Sequence, residues 1–277
     1  MGYAWYVVII LMACYTLSFI DRHRKQPFFL VVSYSAPHVP LAAPPKYLDR
    51  YRGLPEGNAR TYAAMVSSVD DGVGALVKKL GALDLLKDTL VIFMSDNGCF
   101  LNTNACSNAP FQAGKFFLME GGIRVPLLMQ WTGHIPAGSV FRQPVITLDL
   151  FPTALAIAGA APAPGSRPTD GVSLLPALTG SKPGLPQRTL FWRLGPNYAA
   201  RKGSWKLFRG GQSVTWLFDL ASDPGERRDV AKEHAAIAAE LEKELSAWSA
   251  TLAPPLWPSQ RGTATATVNG ARIDVPM

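Results

Sequence analysis

Two short runs of apolar residues predict strands that are buried on both faces. Residues 90–94 form one run and residues 28–34 the other, and neither contains a charged side chain. A strand that is apolar on both faces belongs in the middle of a sheet with helices on both sides. In such sheets, ligands bind just past the carboxyl ends of the strands. The residues that follow the runs, Ser95-Asp96-Asn97-Gly98 and 35–40, are therefore candidates for a site.

Helical spacing of apolar residues appears between and after these runs. Residues 58–80 carry apolar side chains at intervals of three and four and predict an amphipathic helix. Residues 127–131 predict another short buried strand. Residues 147–158 predict an apolar helix with Pro152 in its first turn, where proline is tolerated. Strand, loop, helix and strand in this order predict an α/β sheet sandwiched by helices.

A different pattern begins after a segment rich in proline, glycine and alanine. This segment, residues 159–187, predicts a surface connection and a domain boundary. A polar helix is expected over residues 229–251, and a loosely held tail from residue 254. Three short runs predict the strands of a small antiparallel sheet, at residues 189–193, 205–208 and 215–220.

The amino-terminal residues are apolar and unlike the rest of the chain. Residues 3–20 carry no charge and are a borderline candidate for a membrane span. They lack the basic region and cleavage site of a secretory signal. Residues 15–25 also predict an amphipathic helix, which we favour because a span ending at Ile20 would leave almost no linker before the next strand. The expected parts are an atypical apolar segment over 1–14, an α/β domain over 15–186 and a small α+β subdomain over 187–277.

Composition and charge narrow the function classes. The 277 residues are 48% hydrophobic and 17% charged, which indicates a globular protein. The net charge of +7 is scattered, without a basic stripe and interleaved aromatics, so nucleic acid is not expected as a partner. A basic surface would suit an anionic small substrate. The cysteines show no metal-type spacing; Cys99 and Cys106 would either pair in an oxidising compartment or remain thiols.

Asp96 and Asn97 place a carboxylate and an amide side by side at the end of the first predicted strand. Both are hard oxygen ligands of the kind that Ca²⁺ and Mg²⁺ prefer. Asp70 and Asp71 form another acidic pair, but they lie inside the predicted helix, where successive side chains diverge by about 100°. For at least one of these two we expect a solvated polar role.

His38 differs in its setting from the other three histidines of the chain. It lies between Pro37 and Val39-Pro40, in a loop directly after a predicted strand, and the prolines restrict the backbone there. Such a histidine can supply a proton to a reacting oxygen. Taken alone, His38 leaves a catalytic and a structural role open. The remaining histidines are expected to be solvated: His23, His134 and His234.

Several short motifs follow one another along the chain. They are Phe28-Phe-Leu-Val-Val-Ser-Tyr-Ser-Ala-Pro-His38-Val-Pro40, Ser95-Asp96-Asn97-Gly98, Gly114-Lys115-x4-Glu120-Gly121-Gly122-Ile-Arg124-Val-Pro126, Asp149-Leu-Phe-Pro-Thr153, Leu217-Phe-Asp-Leu and Asp223-Pro-Gly-Glu226. Each motif by itself is weak evidence, whereas their order and spacing together are specific. Over residues 15–248 the chain resembles the sulfatase family of the alkaline-phosphatase-like superfamily.

The resemblance implies a fold, an activity and roles for four residues. The fold would be an alkaline-phosphatase-like sheet sandwiched by helices, then a small antiparallel sheet with a carboxyl-terminal helix. The activity would be hydrolysis of sulfate esters. Asp96 and Asn97 match the family's second pair of divalent-metal ligands, usually for Ca²⁺, with Mg²⁺ as the alternative. Lys115 matches a lysine that contacts the sulfate, and His38 a histidine at the sulfate and the leaving oxygen.

The resemblance also implies a nucleophile, a substrate class and a location. The family's nucleophile is a formylglycine made from a cysteine or serine. The substrate would be a sulfated small molecule or glycan, and the location would be periplasmic or extracellular. From the residues themselves, Arg124 is expected to have a structural role, pairing with backbone or with Glu120.

This chain lacks the family's formylglycine motif, Cys or Ser followed by x-Pro-x-Arg. None of its cysteines begins that pattern, and Ser35-Ala-Pro-His-Val lacks the arginine. The family's amino-terminal strand with paired metal aspartates is absent too. We therefore expect the carboxyl portion of a sulfatase, with an incomplete sheet, exposed apolar surface and a missing amino-terminal half or partner chain. Alone, it is expected to bind Ca²⁺ weakly and to hydrolyse no sulfate ester.

Two other interpretations remain open. One is a phosphodiesterase or phosphonate hydrolase of the same superfamily, although the spacing from Gly114-Lys115 to Glu120-Gly121-Gly122 favours a sulfatase. The other is a non-catalytic remnant that binds a partner chain through an open sheet edge.

Overall fold

The computed structural model describes residues 3–161, 163–182, 184–211, 214–254 and 262–276. The chain divides into two compact units, which are described separately below. The first unit consists of Met1–Ile92, Phe100–Ser107 and Met129–Gly133. The second consists of Phe93–Cys99, Asn108–Leu128 and His134–Met277.

Helices dominate the first unit. α1 (Tyr3–His23), α2 (Pro45–Leu48) and α3 (Asn58–Ala82) follow in order, with 3-10 turns at Asp49–Tyr51 and Leu101–Thr103. The periodicity of residues 58–80 is thus confirmed as a helix. α1 packs against α3, and Lys79 forms an ion pair with Asp21 at 2.6 Å. Among the residues that the structure describes, no helix combines the length and the apolar character needed to cross a membrane.

Residues 28–34 do not form the predicted buried strand. No strand is assigned between residues 27 and 35, and Phe29 and Val31 are 77% and 69% exposed. Alternate residues are half-buried, so only one side of the segment is covered. A strand needs a neighbour for its backbone hydrogen bonds, and none pairs with this segment in the described part of the chain. Apolar content alone misled the prediction.

The runs at 90–94 and 127–131 do form strands, β1 (Val91–Met94) and β2 (Leu127–Gln130). They pair with each other as a two-stranded sheet. The prediction that they are buried on both faces is wrong, since Ile92, Phe93 and Leu128 are 37%, 39% and 60% exposed. With a single neighbour each within the described ranges, these strands lack the cover of a central sheet position. The expected exposure of apolar surface holds at these side chains.

Short helices and a four-stranded sheet make up most of the second unit. The helices are α4 (Glu120–Ile123), α5 (Leu150–Ile157) and α6 (Leu175–Leu178), and a 3-10 turn at Thr147–Asp149 precedes α5. The predicted apolar helix over 147–158 is therefore confirmed in outline. The antiparallel sheet has the order β3-β4-β5-β6. Its strands are β3 (Thr189–Leu194), β4 (Asn197–Lys202), β5 (Trp205–Gly210) and β6 (Val214–Asp219).

One face of this sheet is covered by α7 (Ala235–Ala250). Leu241 and Leu245 of α7 are buried against Leu207 and Leu217 of the sheet. The small antiparallel sheet and its helix are thus confirmed. β4 was missed because Asn-Tyr-Ala-Ala-Arg-Lys contains no β-branched residue. Its two alanines are fully buried: Ala200 packs in the cluster that includes α7, and Ala199 packs in the core on the opposite face.

The expectation of a loosely held tail is wrong for the described residues 262–276, while residues 255–261 lie outside the described residues. β7 (Thr263–Val268) and β8 (Ala271–Pro276) form an antiparallel hairpin. Its apolar side chains enter the core on the sheet face away from α7, beside Phe208 and Phe218. Those buried in that core are Val268, Ile273 and Val275.

The hairpin's contribution can be measured at Ile273, which is 3% exposed. Ile273→Val removes one buried methylene and should lower the free energy of unfolding by about 0.5–1.5 kcal/mol. Thr267 on the same hairpin is exposed, so Thr267→Ser should change stability by less than about 0.5 kcal/mol. Urea unfolding followed by tryptophan fluorescence compares the two. Equal, negligible effects would show that the hairpin is not docked.

Candidate active site

The turn that follows β1 presents the Asp96 carboxylate at the surface. The backbone N–H of Ser95 donates to the carbonyl of Pro126 at 3.3 Å, and the Ser95 hydroxyl donates to the carbonyl of Asn97 at 2.9 Å. Asp96 accepts from the backbone N–H of Asn97 at 2.9 Å and from its Nδ2 at 2.7 Å. Aspartate and asparagine therefore lie side by side with oxygen atoms available in one exposed turn.

The side chains of Asp96 and Asn97 offer oxygen atoms, the ligand type that a hard divalent cation prefers. Ca²⁺ usually takes six to eight oxygen ligands, so Asp96 and Asn97 can supply only part of a coordination sphere. Within the described ranges, no group of three or more His, Cys, Asp or Glu could hold a metal ion. Asp71 is engaged elsewhere, because its carboxylate accepts from Arg50 at 2.9 and 2.8 Å. The Arg50 guanidinium holds the pKa of that carboxyl below its usual range, so Asp71 has an ion-pair partner on the exposed face of α3.

Lys115 lies on a loop that is attached to this turn. Its backbone N–H donates to the carbonyl of Cys99 at 3.1 Å. Ala113 and Phe116, on either side of Lys115, have φ of 57° and 78°. Residues other than glycine rarely adopt this left-handed backbone conformation, which persists where surrounding contacts impose it. The second unit thus brings Lys115 beside the residues that follow Asp96 and Asn97.

Asn108 connects the same segments and was not singled out from the sequence. Its Oδ1 accepts from the backbone N–H of Cys99 at 2.9 Å. Its Nδ2 donates to the carbonyls of Cys99 at 3.2 Å and Ala113 at 2.9 Å. The question left open for the cysteines is also answered, since Cys99 and Cys106 are disulfide-bonded. The polar loop after Gly98 is therefore an ordered scaffold.

Two glycines let three backbone segments approach one another closely, at residues 98, 112 and 121–122. Gly98 donates its N–H to the carbonyl of Gly122 at 2.9 Å, and a Cβ on Gly98 would lie 1.7 Å from the carbonyl oxygen of Gly121. A Cβ on Gly121 would lie 2.3 Å from the carbonyl oxygen of Gln112. Both sites require glycine because of close backbone approach and not because of a positive φ.

A buried ion network lies immediately next to these glycines. Glu120, Lys206 and Glu226 are 1%, 0% and 0% exposed. Lys206 Nζ lies 2.9 Å from Glu120 Oε1 and 2.7 Å from Glu226 Oε1, the latter as an ion pair without directed hydrogen-bond geometry. Glu226 Oε2 accepts from the backbone N–H of Glu120 at 2.6 Å. Arg201 adds a contact to Glu120 Oε2 at 3.2 Å.

The two buried carboxylates differ in their cation neighbours. Burial alone would raise the pKa of the Glu120 carboxyl, but Lys206 and the arginines nearby outweigh it and hold that pKa below its usual range. Burial raises the pKa of the Glu226 carboxyl, which Lys206 only partly offsets. The expected pairing of Arg124 is confirmed, at 3.6 Å from Glu120 and with its backbone N–H on the Glu120 carbonyl at 2.8 Å.

The motif that begins at Asp149 forms a separate structural anchor. Asp149 is fully buried and accepts from the backbone N–H groups of Ile146 and Val172, both at 2.9 Å. Both its oxygens also accept from the Arg188 guanidinium. The Thr153 hydroxyl donates to the Asp149 carbonyl at 2.6 Å. Burial alone would raise the pKa of Asp149, but Arg188 and the backbone donors outweigh it and lower that pKa.

His38 belongs to the first unit, whereas Asp96, Asn97 and Lys115 belong to the second. The imidazole is exposed, and its Nδ1 lies 2.7 Å from the carbonyl of Val39. A carbonyl only accepts, so Nδ1 carries the proton. In the neutral ring Nε2 is then the basic nitrogen. The backbone N–H of His38 donates to the Ser35 carbonyl at 3.0 Å, which closes the loop.

Comparison with protein families finds two matching models. The model described as Sulfatase matches residues 5–160. The model described as N-sulphoglucosamine sulphohydrolase, C-terminal, matches residues 112–251. The family is therefore the same over both units.

Curated relatives and solved structures agree. N-acetylgalactosamine-6-sulfatase of Sus scrofa is 35% identical over 248 residues, covering 76% of this chain and 46% of that protein. Steryl-sulfatase of Mus musculus is 32% identical over 254 residues, covering 78% of this chain and 40% of that protein. The crystal structure of Ps i-CgsB in complex with k-i-k-neocarrahexaose matches with a TM-score of 0.84 and 34% identity, over 90% of this chain and 56% of that one. The chain spans about half the length of these relatives.

Proposed function

Because this chain belongs to the sulfatase family, we propose that it carries the metal turn, the sulfate-binding lysine and the proton donor of a sulfate-ester hydrolase. The observation that supports this most is the hydrogen bond from Lys115 N–H to the Cys99 carbonyl at 3.1 Å. It places an ammonium-bearing residue next to the Asp96-Asn97 turn. A lysine ammonium and oxygen ligands for a metal, carried on segments joined through the backbone, suit the binding of an oxyanion.

Each side chain has a distinct chemical task in this proposal. Asp96 and Asn97 would hold one side of a Ca²⁺ ion, with Mg²⁺ as the alternative, and the bound ion would draw charge from the sulfate oxygens. Lys115 would bind a sulfate oxygen through its ammonium group and stabilise charge that grows during ester cleavage. The nucleophile is not among the motifs of this chain, since the formylglycine pattern does not occur in it.

His38 would protonate the leaving alcohol. Its Nδ1 proton is committed to the Val39 carbonyl, so the ring orientation is held and the second proton of the imidazolium sits on Nε2. That proton can pass to the bridging oxygen as the S–O bond breaks, which spares the alcohol from leaving as an alkoxide.

The substrate class and location follow from the relatives as proposals. One solved relative is a complex with k-i-k-neocarrahexaose, and two curated relatives are named N-acetylgalactosamine-6-sulfatase and steryl-sulfatase. We propose a sulfated glycan or small molecule. The Cys99–Cys106 disulfide supports a periplasmic or extracellular location, since disulfides persist in oxidising compartments.

The division of the chain into three parts, with boundaries at residues 14 and 186, stays a prediction.

The proposal is tested on the full chain with Ca²⁺ and an aryl sulfate. Calorimetry should show Ca²⁺ binding with a Kd weaker than roughly 0.1 mM, since two side chains supply few ligands. Asp96→Asn should weaken it at least about fivefold, because a charged ligand is lost. Asp70→Asn, at an exposed position of α3, is the matched control and should leave the Kd unchanged. The chain alone should not hydrolyse 4-nitrophenyl sulfate.

Three outcomes would change the assignment. Ca²⁺ binding that is insensitive to Asp96→Asn would remove the metal role of the turn. Turnover of the aryl sulfate that disappears in His38→Ala would show that this chain is a self-sufficient enzyme. Turnover of bis(4-nitrophenyl) phosphate in preference to the sulfate would favour the phosphodiesterase interpretation.

A further inference from the structure

One residue holds both ends of the loop that carries Lys115. The loop runs from Gln112 to Glu120. At its start, Gln112 Nε2 donates to the carbonyl of Glu226 at 2.7 Å. At its end, the backbone N–H of Glu120 donates to Glu226 Oε2 at 2.6 Å. In the sequence, Glu226 is 114 residues from Gln112 and 106 residues from Glu120.

The backbone of Glu226 adopts a conformation that serves these contacts. Its φ is 56°, in the left-handed region that favours glycine. The residue before it is Gly225, yet the left-handed position is occupied by glutamate. A non-glycine residue in this region marks a place where surrounding structure imposes the conformation. Here it allows one residue to offer its carbonyl to Gln112 and its carboxylate to Glu120.

Independent contacts secure Glu226 itself. Asn269 of the β7–β8 turn donates its Nδ2 to the Glu226 carbonyl at 2.9 Å. Lys206 pairs with Oε1 of the carboxylate at 2.7 Å. The Glu226 carbonyl and carboxylate thus contact the hairpin and the four-stranded sheet, so the loop is connected through Glu226 to both elements.

The loop transmits this restraint to the candidate site through backbone hydrogen bonds. The N–H of Gly121 donates to the carbonyl of Gln112 at 3.0 Å, which ties the two loop ends together. Between them, Lys115 N–H donates to Cys99 at 3.1 Å. The contacts at Gln112 and Glu120 therefore add to the hydrogen bonds of Lys115 with Cys99 and of Ala113 with Asn108 in fixing the loop backbone.

We propose that Glu226 is a positioning residue for Lys115, acting by clamping Gln112 and Glu120 together. The proposal rests on the role of Lys115 in sulfate binding given above. It assigns a specific task to a turn that would otherwise serve only to end β6. A lysine that binds an anion gains most when its backbone is already placed, because no ordering has to accompany binding.

The test uses two variants and a matched control in the full chain. Gln112→Met keeps the length of the side chain and removes the amide that reaches the Glu226 carbonyl. Glu226→Gln keeps the shape of the carboxylate group and removes its charge. Glu244→Gln is the control, because Glu244 pairs with Lys202 in the same unit and does not contact the loop. Two readouts are used: amide hydrogen exchange, and the Kd for inorganic sulfate from NMR titration.

In Gln112→Met, exchange of the Lys115 and Gly121 amides should accelerate about tenfold, as expected from loss of buried hydrogen bonds. Amides of β4 and β5 should exchange as in the unaltered chain, and the sulfate Kd should rise at least about fivefold. Glu226→Gln should act in the same direction. If Glu226→Gln does not fold, Gln112→Met decides alone.

Two results would overturn the proposal. One is loop exchange in Gln112→Met no faster than in Glu244→Gln. The other is acceleration spread equally over β4, β5 and the loop, which would indicate a purely structural role. If the unaltered chain binds no sulfate, the function proposed for Lys115 fails, while the exchange data still decide whether Glu226 holds the loop.

Discussion

Replacement of Lys206 by methionine is expected to cost about 3–5 kcal/mol of unfolding free energy at neutral pH. Lys206 is the only fully buried cation among the described partners of Glu120 and Glu226. Methionine fills a similar volume but leaves two carboxylates in the interior around an apolar group. An uncompensated buried charge is far more costly than the loss of a surface ion pair.

The measurement is urea unfolding at pH 7, compared with Lys202→Met. Lys202 pairs with Glu240 and Glu244 at 2.7 and 2.8 Å but is 30% exposed, so its loss should cost less than about 1 kcal/mol. If the two variants are equally stable, the buried network does not carry the energy assigned to it.

The Lys206→Met variant should recover part of its stability in acid. Without Lys206, the folded-state pKa of Glu226 should rise further above its unfolded value. A carboxyl with a raised folded-state pKa favours folding below the unfolded pKa of about 4.3, and this contribution is lost as pH rises through the folded pKa. The deficit should therefore be smaller at pH 4.5 than at pH 7. A deficit that is independent of pH would contradict this origin.

Asp149→Asn is the second change with a large expected effect, again about 3 kcal/mol or more at pH 7. Arg188 would lose its charged partner. The carboxylate oxygens of Asp149 accept hydrogen bonds from Ile146, Val172 and Arg188. In asparagine one of these oxygens is replaced by an NH2 group, which cannot accept and would face N–H donors. The variant should therefore lose the connection between the start of α5 and the segment at Val172.

The pH dependence of this effect has a definite sign. The folded-state pKa of Asp149 is lowered, so its contribution is present above the unfolded pKa of about 3.9 and is lost as pH falls through the folded pKa. The stability difference between the unaltered chain and Asp149→Asn should be full at pH 7 and shrink below about pH 4. Asp170→Asn, at an exposed position nearby, is the control and should show no such difference. A constant difference from pH 7 to pH 3 would contradict the assignment.

Parts of both units could be predicted from local sequence. The helix at α3 follows from apolar residues at helical spacing, and the carboxyl-terminal strands follow from short apolar runs between turns. The turn at Asp96 and the loop at Lys115 were found because strand ends and glycine-rich motifs are contiguous in the chain. These features depend on residues that are close together in the sequence, so they can be predicted from one sequence alone.

Errors arose where the outcome depends on distant neighbours. Residues 28–34 have strand-like composition, but a strand exists only when another segment supplies hydrogen bonds. Residues 263–276 lie in the segment that was expected to be a loosely held tail, yet they form a hairpin because the sheet offers an apolar face for Ile273 and Val275. β1 was predicted correctly as a strand. Its exposure was not, because burial of a strand depends on which other segments pack against it.

The sequence by itself determined the family, the helices and strands with clear periodicity, and the candidates Asp96, Asn97, Lys115 and His38. Only the tertiary structure decided that Lys206 and Glu226 are buried and that Glu226 forms hydrogen bonds with Gln112 and Glu120 at the two ends of the Lys115 loop. In the sequence, Lys206 is not distinguished from other lysines, and Glu226 appears only as the last residue of a turn motif. Their role appears when the fold removes them from water and brings together groups 86 and 106 residues apart, since only then does their pairing become strong.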